Sequence, residues 1–298
     1  MAGAVPIALF AFRRPQHLRR TVESLLANPE SAQSTLYAFA DAARGPADAA
    51  DVAAVREYLQ SLRGFAHANV VERKANLGLA RSIIDGVGRV LSEHESVIVL
   101  EDDLLLSPHF LRYMNDGLAL YRDDRRVASI HGYIYPVAQP LPETFFLRGA
   151  DCWGWATWRD RWAWFNADGR ALREQLRRED LEAEFDFDGA YGYTAMLDGQ
   201  IAGQNDSWAI RWHASCFLRN ALTLYPGRSL VANIGVDGGG ATHMQKTDVF
   251  DVDLAREPVH AGGIPVSENR TAREHIREYF LSRHRPRRGW WARLRGKG

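Results

Sequence analysis

The sequence predicts an α/β protein built on a mostly parallel central sheet wound by helices. Three observations carry that expectation. The run Val97-Ile98-Val99-Leu100 is too short for a helix, is mostly β-branched, and reads as a buried strand that runs straight into Glu101-Asp102-Asp103. Strand-like and helix-like patterns alternate strictly from Val5 to Tyr121, which is the pattern of crossover units in a parallel sheet. After residue 126 the alternation gives way to a tryptophan-dense stretch and glycine-rich loops, the mark of a different second half.

The elements follow in order. Val5 to Phe12 is an apolar strand. Because Arg13 and Arg14 follow it at once, and no charged region precedes it, it does not read as a signal peptide. Pro15 opens a helix with Leu18, Val22, Leu25 and Leu26 on one face. Thr35 to Ala40 is the second strand, ending at Asp41. A helix with Val52, Val55, Leu59 and Leu62 as its stripe stops at Gly64. Asn69 to Glu72 is a third strand, and Leu79, Ile83, Val87 and Val90 mark a third helix. Beyond the acids, Ser107-Pro108 reads as an N-cap followed by proline at the first helical position, with Phe110, Met114, Leu118 and Tyr121 continuing the helix. In the second half, Val127 to Ile130, Thr144 to Leu147 and Leu222 to Tyr225 read as strands, and 170–188 as a charged helical excursion.

Composition narrows the function classes. The 298 residues are 46% hydrophobic and 25% charged, enough for a sizeable core in one large domain or two small ones. A formal net charge of zero gives no electrostatic case for nucleic acid. Cys152 and Cys216 lack zinc spacing and make no disulfide framework, which fits a reducing cytoplasm. No apolar run approaches the length of a membrane span.

The acids carry the chemistry. Three carboxylates at a strand end repel one another, and a hard divalent cation, Mg²⁺ or Mn²⁺, relieves that repulsion. The crevice beyond the carboxyl ends of parallel strands is where such sheets bind ligands. A cation held there would in turn hold a diphosphate. A solvated acidic turn is the bland alternative, weakened by the strand before and the helix signal after.

Taken together, Phe12-Arg13-Arg14-Pro15, Asn76-Leu77-Gly78-Leu79-Ala80, Glu101-Asp102-Asp103, Gly154-Trp155 and Asp206-Ser207-Trp208 resemble nucleotide-sugar-dependent glycosyltransferases of the GT-A fold. The resemblance is to family-2-like bacterial enzymes and to the inverting N-acetylglucosaminyltransferase I of N-glycan processing. It covers about residues 5–245 and implies a Rossmann-like sheet with an acceptor-side α+β second half. On that basis residues 1–126 are the nucleotide-sugar-binding half, 127–260 the acceptor-binding and catalytic half of the same domain, and 261–298 a C-terminal helix and basic tail.

The resemblance also implies roles. Asp103 matches the metal ligand, and Glu101 and Asp102 match residues touching donor sugar and ribose. Asp41 matches the acid that reads the nucleobase, or it caps the turn after its strand. Arg14 and Arg81 match, or lie near, groups that meet the nucleotide and diphosphate, or they are solvated arginines. Asp206 matches the general base that an inverting transfer needs opposite the leaving group, basic enough if partly buried; it also suits an N-cap. Asn205 stands where the named relative has tryptophan, so the donor sugar is open. Asp186 and Asp188 are rival bases. Trp153, Gly154 and Trp155 resemble an acceptor platform, although most of the five tryptophans between 151 and 165 belong in a core. His243, in the glycine-rich stretch from Gly235, is a second candidate metal ligand.

The expected activity is transfer of a sugar from a nucleoside-diphosphate donor, UDP favoured, to a glycan or lipid-linked acceptor in bacterial surface polysaccharide synthesis. A sugar nucleotidyltransferase and an inactive glycan-binding module are the alternatives. The first lacks its glycine-rich signature after strand one, where Arg13-Arg14-Pro15 stands. The arginine-rich tail with Trp290-Trp291 suits either peripheral contact with the inner membrane face or a solvated end.

Overall fold

The computed structural model describes residues 4–236 and 249–284. Ten strands are present among them: β1 (Ile7–Ala11), β2 (Thr35–Ala40), β3 (His67–Glu72), β4 (Ser96–Glu101), β5 (Leu104–Leu106), β6 (Val127–His131), β7 (Thr144–Arg148), β8 (Trp155–Trp158), β9 (Leu222–Pro226) and β10 (Val231–Asn233). The helices are α1 (Pro15–Leu26), α2 (Ala49–Ser61), α3 (Leu79–Glu93), α4 (Phe110–Leu120), α5 (Arg159–Trp162), α6 (Gly169–Arg178), α7 (Glu182–Phe185), α8 (Tyr193–Ile201), α9 (Trp208–Phe217) and α10 (Arg270–His284).

Eight strands form one sheet in the order β3-β2-β1-β4-β8-β6-β9-β7. The first four are parallel, as the alternation predicted. β8 then runs antiparallel between β4 and β6, β9 is parallel to β6, and β7 closes the edge antiparallel to β9. The sheet therefore passes through both halves of the chain without a break.

Both faces are covered. Strand residues of opposite parity feed two cores, because side chains alternate across a strand. Ile7, Leu9, Ile98 and Leu100 join Leu18, Val22 and Leu25 of α1 and Met114 and Leu118 of α4. Ala8, Val97 and Val99 join Ile83, Val87 and Val90 of α3 with Trp155, Trp208 and Trp212. Complete burial of an aliphatic side chain contributes about 1.5–3 kcal/mol, so this double-faced run fixes β4 in the middle of the sheet. At the helix ends the stripes give out. Leu26 and Leu79, counted as apolar faces in the sequence, are 37% and 51% exposed.

Three local expectations change. Leu104-Leu105-Leu106, to which the sequence assigns no element, is a strand, because β10 arrives from the second half to pair with it antiparallel. Helix α4 starts at Phe110, not at Pro108. The Ser107 hydroxyl accepts the His109 N–H and donates to the Ala255 carbonyl, so Ser107-Pro108 makes a turn pinned to another segment. The tryptophan-dense stretch contains strand β8, whose Trp155, Ala156, Thr157 and Trp158 are all buried. No helix among the described residues is long and apolar enough to cross a membrane. Most of the basic tail, with Trp290-Trp291, lies outside the described residues.

Candidate active site

The site is built at the carboxyl end of the parallel strands. β1 runs into Phe12-Arg13-Arg14, β2 into Asp41, and β4 into the acid triplet. Because β8 is antiparallel, its beginning lies at the same end: Trp155 pairs with Val99. β6 ends there too, and the Gly132 N–H donates to the Gly154 carbonyl at 2.8 Å. The three central strands thus place 101–103, 132–135 and 151–154 at one edge.

Asp103 is 7% exposed, and its carboxylate accepts from the Arg14 guanidinium at 3.1 Å. Asp102 accepts the Phe12 N–H at 3.0 Å, tying β4 to the end of β1. Burial, then the charges of Asp103 and Asp102, hold the Glu101 carboxyl well above the usual range. Burial and Asp103 push Asp102 up to about 7, against the opposing pull of the Phe12 N–H and Arg14. The triplet therefore resists full ionisation on its own, which is the electrostatic condition that a cation would relieve. The loop after β10 closes over it. The Ile234 N–H donates to the Asp103 carbonyl at 2.8 Å, and Arg14 donates to the Gly235 carbonyl at 3.3 Å. A Cβ at Gly235 would displace the Asp103 carboxylate and the Arg14 guanidinium.

Among the described residues no three side chains converge into a cation cage. A site with one protein carboxylate, completed by phosphate oxygens and water, remains compatible with this donor set, since Mg²⁺ keeps several waters and few protein ligands. Asp103 fits that description. His243 lies outside the described residues.

Asp41 is buried, and its two oxygens accept the N–H groups of Ala42, Leu77 and Gly78 at 2.9–3.2 Å. It fixes the Asn76-Leu77-Gly78 turn against the end of β2, with Asn76 donating to the Ala42 carbonyl. Arg81 stands exposed in the first turn of α3, directly after that turn.

The tryptophans divide. Trp155 is fully buried, with Trp208 stacked on it at 5.3 Å and Trp162 and Trp212 at 5.6 and 5.9 Å. Its faces are occupied, so it is a core residue and not an acceptor platform. Gly154 is buried at φ +65°, and a Cβ there would meet Val231. Trp153 stays half-buried, edge-on to Tyr133 at 4.8 Å and Phe250 at 5.4 Å.

Asp206 differs from expectation in its setting. Ser207, not Asp206, caps α9 by accepting the Ile210 N–H. The Asp206 side chain is 64% exposed and one oxygen accepts from the buried Arg211 guanidinium at 3.1 Å. Trp208, two residues on, anchors the start of α9 to the start of β8 through its stack on Trp155. The rivals are committed elsewhere: Asp186 accepts the Thr194 N–H, and Asp188 pairs with Arg273 and Arg277 of α10.

Asp151 joins the site without having stood out in the sequence. Its side chain is 20% exposed, accepts from the Tyr135 hydroxyl and the Cys152 N–H, both at 2.9 Å, and lies 3.9 Å from the ring of fully buried His131. Burial and Asp151 drive the Tyr135 hydroxyl well above its usual range, and burial drives His131 down to about 4. Burial raises the Cys152 thiol, which feels Asp151, Glu101 and Asp103 together. Both cysteines are free. A lone aspartate before a tryptophan run carries no signal until β6 and β8 are known to pair.

The chain is thus a mixed α/β protein with an acid-tipped central strand. No protein-family model matches it, and no curated protein matches it. Among solved structures it is similar to a mannosyltransferase from Pyrobaculum calidifontis in complex with GDP-Man and Mn²⁺, at 13% identity over 45% of this chain and 36% of that one, TM-score 0.34. It is also similar to residues 1–349 of S. aureus TarS, at 11% identity over 59% and 49%, TM-score 0.33. A third is a Desulfovibrio desulfuricans G20 protein assigned as a nucleotide-diphospho-sugar transferase, at 11% identity over 59% and 76%, TM-score 0.37. The chain spans between about a third and a half of the length of the first two.

Proposed function

We propose that this chain transfers a sugar from a nucleoside diphosphate, UDP favoured, to a hydroxyl of a glycan or lipid-linked acceptor, with inversion and a divalent cation, in surface polysaccharide synthesis. The observation that carries this reading is the acid triplet at the end of β4, with Asp103 already facing a cationic Arg14 across the sheet's ligand-binding edge. Asp103 would hold Mn²⁺ or Mg²⁺. When bound, the cation would supply neutralisation of the charge that develops on the departing diphosphate.

The protein's own groups do the rest. Arg14 lies close enough to Asp103 to donate to a diphosphate oxygen beside it. Arg81, at the start of α3, adds a second cation with the helix N-terminus behind it. Asp102 and Glu101 meet the donor's ribose and sugar. Asp206 is the general base: one oxygen is oriented by Arg211, and the exposed carboxylate takes the acceptor's hydroxyl proton as the new carbon–oxygen bond forms. The bond to the diphosphate breaks on the opposite face, and its electron pair leaves with the nucleotide. Trp153 is the remaining tryptophan for an acceptor ring. Peripheral contact of the basic tail with the inner membrane face would bring a lipid-linked acceptor near.

A thermal-shift panel of UDP-, GDP- and dTDP-sugars with and without Mn²⁺ tests this, because a ligand that binds the folded state raises Tm. The reading expects a rise with at least one nucleotide sugar that is larger with Mn²⁺. No rise with any of them overturns it.

A further inference from the structure

Asp151 has the surroundings of a sugar-binding carboxylate. It sits where β8 begins, at the edge where β4 runs into the acids, and the Cys152 thiol between them feels both. One of its oxygens takes the Tyr135 hydroxyl and the other the Cys152 N–H, so its position is fixed from two sides. Its fifth-part exposure leaves an accepting edge open to solvent. Beside it stand the half-buried Trp153, backed by the buried Tyr133, and the half-buried Tyr193, whose hydroxyl is 3.5 Å from that of Tyr135. Apolar ring faces beside a fixed acceptor are what a sugar needs, since its C–H faces are apolar and its edges are hydroxyl donors.

A second, independent observation points into the same spot. His131 is wholly buried, its Nε2 is directed at the Asp151 carboxylate from 3.9 Å, and neither ring nitrogen has a hydrogen-bond partner among the described residues. Buried polar atoms are seldom left so. A hydroxyl or water seated between the two would satisfy both.

We propose that Asp151, positioned by Tyr135, binds a hydroxyl of the acceptor sugar and so defines an acceptor subsite beside the donor's diphosphate. This rests on the reading above and deepens it. Asp151 binds and orients; the proton goes to another group.

The test uses the full chain with UDP and Mn²⁺ and a panel of free neutral monosaccharides, read by saturation-transfer NMR. Asp151→Ala is expected to weaken saccharide binding at least tenfold and Tyr135→Phe about threefold. Nucleotide affinity is expected to stay within twofold and the far-UV spectrum unchanged. Asp151→Asn, closer in shape, checks that the loss follows the charge and not a collapse of the fold. Two results overturn the proposal while leaving the nucleotide site standing: no saccharide signal from the unsubstituted chain, or equal binding by Asp151→Ala. A loss of nucleotide affinity in Asp151→Ala as large as the saccharide loss also overturns it, by placing the carboxylate on the donor. Failure of the unsubstituted chain to bind UDP strikes the proposed function instead.

Discussion

The Arg14 guanidinium lies 3.1 Å from the Asp103 carboxylate, with both side chains about a tenth exposed. The pair joins the end of β1 to the end of β4. It places a positive charge beside the acids before any cation is present. Breaking a buried ion pair by removing one partner costs about 3–5 kcal/mol. Arg14→Met is therefore expected to lower stability by roughly 3 kcal/mol in a urea melt. Saturating Mn²⁺ should recover part of that loss, since it replaces charge at the same carboxylate. A variant as stable as the unsubstituted chain would show that the pair contributes nothing.

His131 makes a contribution of known sign to the pH dependence. Burial lowers its folded pKa to about 4, against an ordinary value of 6.5. Below 6.5 the unfolded chain takes up a proton that the folded chain refuses, so stability falls as pH drops toward 4. The full effect is about 3 kcal/mol, at 1.36 kcal/mol per pKa unit. Over the same window the raised carboxyls of Glu101 and Asp102 act with the opposite sign, so the His131 share is read as a difference: urea melts between pH 7 and 4 should show His131→Gln losing less stability toward acid than the unsubstituted chain. An unchanged slope in the variant would assign the acid sensitivity to other groups.

Trp155 and Trp153 should separate under alanine substitution. Trp155 is wholly enclosed by other tryptophans, and truncating such a residue costs about 3–5 kcal/mol. Trp153 is half-buried and should cost clearly less, while weakening acceptor binding. Chemical denaturation and acceptor KM measured on both variants check the contrast.

Asp206→Asn is expected to abolish transfer while nucleotide binding survives, because only the proton acceptor changes. Single-turnover assays with a competent donor and acceptor, alongside nucleotide titration, read both. Normal turnover by the variant removes Asp206 from the base role.

Much of the fold was legible because the first half obeys local rules. Thr35 to Ala40 forms the strand its apolar run predicts, and α1 starts at Pro15 as proline at the first helical position requires. Residues decided by distant partners were not legible. Leu104-Leu105-Leu106 becomes a strand only because Val231-Ala232-Asn233 reaches it, and Trp155 is core only because α9 stacks on it. The candidate site divides the same way. The acids were visible as a strand end. Asp41 was visible at a strand end, but its hold on the amides of Leu77 and Gly78 depends on a turn distant in sequence. Asp151 was invisible because Tyr135 and His131 meet it through sheet pairing, far from it in sequence order.

The account turns on Asp103. Thermal shift with UDP and Mn²⁺ on the unsubstituted chain and on Asp103→Asn, which keeps the shape and removes the charge, measures it most directly. The account predicts a clear rise in Tm for the unsubstituted chain and none for the variant. An equal rise in both would contradict it.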